Sequence, residues 1–453
     1  MHVLRGNTVQ FSYPFENIEQ GAEQALIDMP NMNTREKMKR HFLSIVASCV
    51  LLLALATSAS AAGFALYEWS ARGNALGGTL IGRADDPSAV AYNPAGMTQL
   101  DGTQIALGVS LAAPSTDVKT TSATGVETTT GSKDAVFPIP HFYVTHKIND
   151  KWAVGFGEYS RFGLGFGYDK DKFPGAYNVY DAQIKSFSLN PNVAYKITDR
   201  LSAAVGVEYI HVDVAIKKKY HPLLGGTSKL TGNGDGVALT AGLHYNLDKW
   251  RFGVGYHSQA KVDADGKTKI SGTNDAAAVG AGALPNGKYD TSTSIVLPDM
   301  ISFGVTYYPI EELSIEVAAV NTRWSTYRNF DLSVETPAGD KTVAQPKDWK
   351  DVWRIGVGAE YAINDTWTVR GSYTYDEAPE NSKYVDYMIP AADRHLLGAG
   401  VGYKINNWTI DLAYTYIIAE SVNYDSSVSS GVSKGKSENG VTHIGAITVG
   451  YAF

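Results

Sequence analysis

The clearest pattern in this chain is an alternation of apolar and polar positions behind short, repeated turns. One face of the segment that follows "INDTW" (363–367) carries Trp367, Val369, Gly371, Tyr373 and Tyr375. Its other face carries small, polar or charged residues, among them Arg370 and Asp376. Because strand side chains have a period of two residues, the pattern predicts amphipathic β-strands.

The same pattern recurs along the chain and predicts about fourteen strands. They lie near 103–112, 138–147, 150–160, 182–197, 200–216, 234–246, 250–263, 292–307, 312–327, 350–362, 365–377, 392–404, 408–419 and 441–453. Tight turns alternate with long polar connections, of which 217–233 and 264–291 are examples. Long-short alternation around an even number of strands is typical of an outer-membrane barrel with periplasmic turns and external loops.

A soluble β-sandwich is the alternative architecture, because it can bury the apolar face of each strand instead of exposing it to lipid. The tight turns argue against it. "INDKW", "NLDKW", "INDTW" and "INNW" place Trp152, Trp250, Trp367 and Trp408 directly behind a turn. A barrel explains this spacing, since Trp collects at membrane interfaces. The predicted fold is therefore all-β, a 14-stranded antiparallel transmembrane barrel formed by residues 103–453.

The N-terminal 61 residues have the features of an export signal behind an over-extended start. A basic stretch that ends at Arg40 precedes the apolar run "FLSIVASCVLLLALA" (42–56) and the small residues "ASA" (59–61). This order predicts a cleaved signal peptide, with Met32 or Met38 as the initiator. The apolar run is shorter than the ~20 residues that a membrane helix needs.

Composition and charge exclude several classes of function. The chain has 453 residues, 45 Gly, 27 Tyr and a formal net charge of −7. A negative net charge does not favour binding to nucleic acid. Its one cysteine, Cys49, lies in the predicted signal, so a zinc–thiolate site and a cysteine nucleophile are not expected. The ten histidines lack ligand spacing. We therefore expect no metal, no cofactor and no enzyme activity.

Residues 62–102, called the hatch below, do not follow the strand pattern. Asp86-Pro87 and Asn93-Pro94 each place an N-cap residue before a proline, which predicts short helices. A lumen enclosed by fourteen strands is too wide for side chains of the wall to fill. The hatch is therefore predicted to plug the barrel.

The chain resembles the FadL family of outer-membrane transporters for long-chain fatty acids and related hydrophobic compounds. The resemblance rests on an ordered set of motifs: "AGF" (62–64), "NPAGM" (93–97), "WKDVWRIGVGAEY" (349–361), "YTYDEAP" (373–379) and "IPAADRHLLGAGVGY" (389–403). It implies a plugged barrel with a hydrophobic pocket reached from outside. It also implies passive uptake, in which ligand leaves sideways into the membrane through a kink in the third strand.

The resemblance also implies roles for individual residues. The pocket would be lined by Phe64, and its basic groups would fall on Lys217, Lys218, Lys219 and Lys347. The hatch motif would be Asn93, Pro94 and Ala95, with Asp376 as a nearby acid of the wall. The kink would fall near Gly155, Gly157 and Glu158–Arg161, a range that includes Ser160. Two plainer interpretations stay open: the three consecutive lysines can be a solvated loop edge or a lipopolysaccharide contact, and Asp376 and Arg370 can pair with other interior charges.

The expected protein is a monomer in the outer membrane of a Gram-negative bacterium. Its expected partners are a long-chain fatty acid or another hydrophobic molecule, outer-membrane lipid and lipopolysaccharide, and the barrel-assembly machinery, for which the terminal Phe453 resembles an insertion signal. Two alternatives remain at this stage, an aromatic or alkane hydrocarbon channel of the same fold and a general porin.

Overall fold

The computed structural model describes residues 63–337, 339–389 and 391–453. Their alternating side chains favour strands, and these strands form one antiparallel sheet. The predictions made for residues 1–61 lie outside these ranges. The strands are β1 Thr103–Thr121, β2 Glu127–Gly131, β3 Phe137–Lys147, β4 Trp152–Tyr159, β5 Gly163–Gly167, β6 Asp181–Lys196, β7 Leu201–His221, β8 Gly225–Leu247, β9 Trp250–His257, β10 Ala260–Thr273, β11 Gly287–Leu297, β12 Met300–Ile310, β13 Leu313–Thr322, β14 Leu332–Val334, β15 Lys341–Val343, β16 Val352–Ala362, β17 Trp367–Asp376, β18 Arg394–Ile405, β19 Trp408–Ala419, β20 Val422–Asn423 and β21 Lys434–Ala452.

The sheet closes on itself because β1 pairs with β3 on one side and with β21 on the other. Three barrel strands are interrupted and consist of two segments each: β4 with β5, β9 with β10, and β11 with β12. The short segments β2, β14, β15 and β20 lie in the loops. The remaining ladder confirms the predicted closed barrel of 14 antiparallel strands.

The repeated tight turns have a common chemical cause. In "INDKW" the Asn149 side chain accepts hydrogen bonds from the amides of Lys151 and Trp152, at 2.9 and 3.0 Å. Asn364 makes the same two bonds in "INDTW". Short side-chain acceptors of this kind stabilise turns without help from the rest of the fold. This local stability explains why the motif recurs at several of the tight connections.

The turn tryptophans form a band on the outside of the barrel. All four are exposed, and each packs on a tyrosine of the neighbouring strand. The pairs are Trp152–Tyr195, Trp250–Tyr307, Trp367–Tyr403 and Trp408–Tyr451, with ring centroids 4.5, 4.4, 4.7 and 4.7 Å apart. This band is the aromatic belt that barrels place at a membrane interface.

Several strands continue far beyond their predicted ends. The loop predicted at 217–233 is wrong, because β7 runs to His221 and β8 starts at Gly225. The prediction failed because the outward positions there are polar, for example Lys217 and Lys229, so the apolar alternation stops while the hydrogen-bonded ladder continues. The loop predicted at 264–291 likewise contains the ends of β10 and β11 around a helix, Asp275–Gly280.

The hatch consists of short helices: Ala71–Ala75, Ala89–Tyr92 and the 3-10 helix Pro94–Gln99. The predicted helix start at Asn93-Pro94 is confirmed, because Asn93 caps this 3-10 helix. The other predicted start is displaced by two residues. Ser88 precedes the helix Ala89–Tyr92, while the Asp86 carboxylate accepts hydrogen bonds from the Ser88 amide and hydroxyl.

Contacts to strands on different sides of the wall place the hatch inside the barrel. Asn74 donates a hydrogen bond to Ser110 on β1, and Asn93 donates to the Leu243 carbonyl on β8. The Ile81 amide donates to Glu316 on β13. The lumen is therefore filled by chain rather than by water. No helix in the described ranges is both long and apolar enough to cross a membrane.

Candidate functional site

An aromatic cage surrounds the first described residues of the hatch. The Phe64 ring lies 4.6 Å from the Trp324 ring and between 5.6 and 5.9 Å from those of Tyr327, Phe162 and Trp349, measured between centroids. Phe64, Phe162, Trp324, Tyr327 and Trp349 form the aromatic cage, and all five are buried. The cage draws on the hatch, on the wall and on the loops after β13, and therefore gathers residues that are distant in sequence.

The third barrel strand is interrupted beside this cage. Its two segments β4 and β5 both pair with β6, and residues 160–162 between them, called the wall gap below, leave the ladder. The hatch supplies the missing bonds: the Leu66 amide donates to the Arg161 carbonyl at 2.8 Å, and the Gly163 amide donates to the Phe64 carbonyl at 2.9 Å. The start of the hatch thus acts as a short extra strand at the wall gap.

Of the residues predicted for the kink, Ser160 and Arg161 lie in the wall gap. Gly155 and Gly157 lie within β4, where both flanking ladders are continuous. They have a different function there. A Cβ atom on Gly155 would come within 2.3 Å of the Met97 sulfur, and one on Gly157 within 2.9 Å of Val90. These glycines leave room for the hatch instead of breaking the strand.

A buried ionic group fixes the wall gap to the barrel. Arg161 donates to Glu208 on β7 at 2.8 Å and to the Pro298 carbonyl at 3.2 Å. His257, at the end of β9, lies 3.1 Å from Glu208 through Nδ1 and 2.9 Å from the Ala91 carbonyl of the hatch through Nε2. Arg161 and Glu208 are completely buried. The charge of Arg161 is therefore balanced inside the wall.

Lys347, the predicted carboxylate anchor, is already paired. It is buried, and its Nζ lies 2.5 Å from the Asp386 carboxylate. Glu380 is close to the same pair, and burial together with the Asp386 charge raises the pKa of its carboxyl well above the usual range. Two acids therefore share one lysine at the edge of the cage.

The three consecutive lysines do not act together. Lys217 and Lys219 are on the outer face of β7. The Lys217 Nζ lies 3.0 Å from the Asp181 carboxylate, and the Lys219 Nζ lies 3.6 Å from the Asp171 carboxylate. Lys218 shares the opposite, lumen-facing side with Ile216, which packs on the buried core. No ion pair of Lys218 is found within the described ranges. Of the three lysines, only Lys218 can reach a molecule in the lumen.

Asn93, Pro94 and Ala95 tie the hatch to the wall. The Asn93 amide group donates to the Ile81 carbonyl at 2.9 Å and to the Leu243 carbonyl of β8 at 3.0 Å. The approach is possible because β8 and β9 carry Gly242 and Gly253 there, where a Cβ would meet Asn93 or Ile81 at 2.4 and 1.9 Å. The motif is therefore both a helix start and a contact with the wall.

Asp376 bridges two arginines below the cage. Its Oδ2 accepts from Arg354 at 2.8 Å and from Arg394 at 2.7 Å. The Arg354 guanidinium also lies 4.4 Å from the centre of the Tyr67 ring in the hatch. Arg370, on the same lumen face of β17, bonds Glu360 and Asp411, both at 2.5 Å. These contacts agree with the interpretation that Asp376 and Arg370 pair with other interior charges.

Glu316, which anchors the hatch through several hydrogen bonds, was not predicted from the sequence. Glu316 on β13 accepts hydrogen bonds from the amides of Ile81, Gly82 and Arg83 at 2.8 to 2.9 Å, and from the Thr306 hydroxyl at 2.7 Å. It is fully buried and also pairs with Arg83. A lone acid on the lumen face of a strand was the available signal, because such a charge needs buried partners.

One small cavity lies between hatch and wall. It is lined by Tyr67, Trp69, Tyr92 and Arg354, among others, and has a volume of only ≈ 10 Å³. That is room for about one water molecule. Within the described ranges, no group of three or more His, Cys, Asp or Glu side chains is arranged to hold a metal ion.

A closed 14-stranded barrel with a hatch in its lumen and an aromatic cage at an interrupted wall strand defines a transport protein of the outer membrane. A comparison with protein families agrees, since residues 52–453 match the family described as outer membrane protein transport protein (OMPP1/FadL/TodX). The chain belongs to this family. It is therefore a protein of the Gram-negative outer membrane, and family members are transporters or channels rather than enzymes.

Relatives of known sequence and structure agree with this assignment. The chain is 26% identical over 410 residues to a long-chain fatty acid transport protein of Salmonella typhi, covering 83% of this chain and 92% of the relative. It is 26% identical to outer membrane protein P1 of Haemophilus influenzae, covering 85% and 92%. Among solved structures, a Pseudomonas aeruginosa FadL homologue has a TM-score of 0.76 at 20% identity, covering 86% of this chain and 100% of that chain. The Ralstonia pickettii toluene transporter TbuX has 0.67 at 19%, covering 86% and 100%.

Proposed function

We propose that this protein takes up neutral hydrophobic molecules by a route that leads from the aromatic cage through the wall gap into the membrane. One observation carries the proposal. Residues 64–66 of the hatch line the cage and also complete the wall at residues 160–162. A ligand that takes the place of the Phe64 ring therefore removes the segment that closes the wall.

The energies involved are compatible with this coupling. Releasing the segment costs two backbone hydrogen bonds, a net ~0.5–1.5 kcal/mol each. Burying a ligand the size of a Phe side chain contributes roughly 1.5–3 kcal/mol. Because the ligand takes the place of the buried Phe64 ring, this gain offsets the burial that Phe64 loses, and the two backbone bonds remain as the cost that keeps the wall gap closed without ligand.

The charges near the cage favour a neutral ligand over a carboxylate. Lys347 is paired with Asp386, and Glu380 lies close to the pair. A fatty-acid carboxylate at Lys347 would meet two other acids and would have to displace Asp386. The toluene transporters among the similar structures and the tight aromatic cage are consistent with an aromatic hydrocarbon as the ligand.

Uptake of long-chain fatty acids is the second candidate, and Lys218 is the observation that favours it. This lysine is on the lumen side of β7, and no carboxylate pairs with it in the part of the chain that the structure describes. A cation there can hold a carboxylate through a charge-assisted hydrogen bond. A long-chain fatty acid transport protein is among the relatives, which supports this candidate.

A removable disulfide across the wall gap tests the route. Ala65 and Phe162 form an isolated antiparallel bridge, so cysteines at both positions are close enough to be linked. The described ranges hold no other cysteine. We expect the oxidised Ala65→Cys/Phe162→Cys variant to lose uptake of radiolabelled toluene, and reduction to restore it. A matched pair at Lys119 and Thr129, which joins β1 to β2 far from the hatch, should leave uptake unchanged.

Measurements of toluene uptake and of ligand binding identify the route and the ligand class. Toluene uptake that survives oxidation of the Ala65–Phe162 pair contradicts the wall-gap route. Binding of oleate that is lost in Lys218→Met but kept in Lys350→Met, an exposed control, decides for the fatty-acid candidate. Binding of toluene that ignores both changes decides for the neutral ligand.

A further inference from the structure

The outer face of the barrel changes character above the band that faces lipid. On β7 and β8 the last large apolar outward residues are Tyr209 and Val237, which lie opposite each other in the ladder. Beyond them the strands β6, β7, β8, β10 and β11 continue side by side, and apart from Phe187 and Ala215 their outward side chains are polar. This sheet face is therefore built to meet something other than lipid tails.

A row of four lysines crosses this face. Lys217, Lys229, Lys269 and Lys288 lie opposite one another on β7, β8, β10 and β11. Neighbouring strands are ~4.8 Å apart, and like charges directly opposite each other destabilise a sheet. Lys217 is compensated by Asp181 at 3.0 Å. Within the described ranges no carboxylate pairs with the other three, so this row repels itself unless an anion is bound.

A polar groove lies between the lysine row and the lipid-facing band. It has a volume of ≈ 420 Å³ and is open to solvent. Its outward side chains are Gln183, Lys185, Asp213, Thr231, Asn233, Asp265 and Lys267. Amide, hydroxyl and carboxylate groups together offer both donors and acceptors, which is what the hydroxyl groups of a sugar require.

Apart from Asp181, which pairs with Lys217 in the row, the acidic residues on the outer face of these strands lie nearer to the membrane than the lysine row. Asp235 is bonded to His211 at 2.7 Å and to Tyr209, and Asp263 is paired with Lys261 at 2.8 Å. Asp213 and Asp265 remain at the groove, and Lys267 bonds Asp290 at 2.5 Å. An anionic group is therefore favoured at the lysine row, and uncharged hydroxyl groups are favoured below it.

The polar groove and the lysine row lie at successive heights above the membrane, where one lipid head group can contact both. Asp213 lies four residues and Lys217 eight residues beyond Tyr209 on β7. With a rise of ~3.3 Å per residue and a tilt of ~45°, these are roughly 9 and 19 Å above the edge of the apolar band. The order from the membrane outwards is thus lipid band, sugar-binding groove and lysine row.

We propose that this face binds the phosphorylated saccharide head group of lipopolysaccharide in the outer leaflet. The lysine row of Lys217, Lys229, Lys269 and Lys288 bonds the phosphate groups, and the groove bonds the sugar hydroxyls. The acyl chains lie along the apolar band that contains Val205, Val237 and Leu239. The occupant is fixed by the charge of the row, by the polarity of the groove and by their common position above the lipid band.

Binding of purified lipopolysaccharide to the detergent-solubilised protein tests this proposal by native mass spectrometry. The variant is Lys229→Gln/Lys269→Gln/Lys288→Gln, and the matched control is Lys151→Gln/Lys249→Gln/Lys404→Gln, three lysines of the tight turns at the opposite end. Since exposed charge pairs are each weak, we expect the three changes together to reduce affinity about tenfold. Lipopolysaccharide with its phosphates removed should bind the unaltered protein equally weakly.

Other results overturn the proposal. Equal losses in the variant and in the control show that only net charge matters, and no loss in either shows that the lysine row is not the site. Retained binding of the dephosphorylated lipid argues against phosphate recognition. The variant's toluene uptake is a separate measurement, because none of the three lysines is part of the aromatic cage or the wall gap.

Discussion

At the scale of single residues, charges on the lumen face of this barrel are buried against the hatch instead of being hydrated. Glu316 and Glu208 illustrate this, since both are completely buried and both accept several hydrogen bonds. Burying an isolated charge is costly, so each of these residues depends on the partners that surround it. The consequences can be measured by removing one partner at a time.

Removing the Lys347 charge should destabilise the loops above the cage. Lys347→Met leaves Asp386 and Glu380 buried together without their cation, and breaking a buried pair in this way costs about 3–5 kcal/mol. The double variant Lys347→Met/Asp386→Leu should recover much of that loss, because the uncompensated charge is gone. Urea unfolding in detergent measures both, with Lys341→Met as an exposed control. A double variant no more stable than the single one contradicts the pairing.

Changing Glu316 should loosen the hatch without unfolding the barrel. Glu316→Gln replaces one acceptor oxygen by a donor that faces the backbone amides of residues 81–83. Hydrogen bonds to a charged group are worth ~1.5–3 kcal/mol each, so the hatch should become a target for protease. Limited proteolysis should cut the hatch at least several times faster than in Glu311→Gln, an exposed acid of the same hairpin. Equal rates would show that Glu316 does not hold the hatch.

At the scale of elements, the loop between β17 and β18 should respond to pH. Asp393 accepts hydrogen bonds from the Tyr375 hydroxyl and the Ala378 amide, both at 2.7 Å. Burial raises the pKa of its carboxyl to about 7 from 3.8, although the Tyr375 bond opposes the shift. A raised folded-state pKa means that the protonated acid stabilises the fold below pH 4, and that this stability is lost as the pH rises through about 7.

Hydrogen exchange of residues 378–389 measures this effect. After correction for the intrinsic pH dependence of exchange, these amides should be better protected at pH 5 than at pH 8. The difference is on the order of a few kcal/mol in opening free energy. Asp393→Asn should remove the pH dependence, and Asp365→Asn in a tight turn should keep it. Unchanged protection across this range in the unaltered protein would contradict the assignment to Asp393.

The wall gap is also a property of elements rather than of single residues. β4 and β5 pair with β6 in registers that differ by one residue, so residues 160–162 leave the ladder, and the start of the hatch bonds there through two backbone groups. Backbone bonds of this kind do not depend on side-chain identity. Ser160 and Arg161 of the predicted kink lie in this gap, whereas Gly155 and Gly157 lie within β4.

At the scale of the whole molecule, the barrel should be closed to ions. The hatch contacts β1, β8 and β13, and a cavity between hatch and wall, lined by Tyr67, Trp69 and Arg354, holds about one water. In planar bilayers we therefore expect no large steady current from the unaltered protein, whereas Glu316→Gln should show brief openings as the hatch moves. A large steady current from the unaltered protein would instead support the general porin.

Features that depend on local chemistry and on periodicity could be predicted from the amino-acid sequence alone. The strands, the tight turns built on Asn149 and Asn364, the band of Trp residues and the helix start at Asn93 were all predicted from residues that lie next to one another. Each follows from a short-range rule, either the two-residue period of a strand or a side chain bonding its own backbone. The number of strands then fixed the barrel.

Which distant residues meet could be learned from the folded chain but not from the sequence pattern. Lys347 was expected to be free for a ligand, yet the folded chain gives it Asp386, and two of the three consecutive lysines turn outward on a strand that was predicted to be a loop. Glu316 gained its partners from the hatch. The physical reason is that closing the barrel brings strands and loops together by register, and a sequence pattern contains no information about which buried charge each lumen position will face.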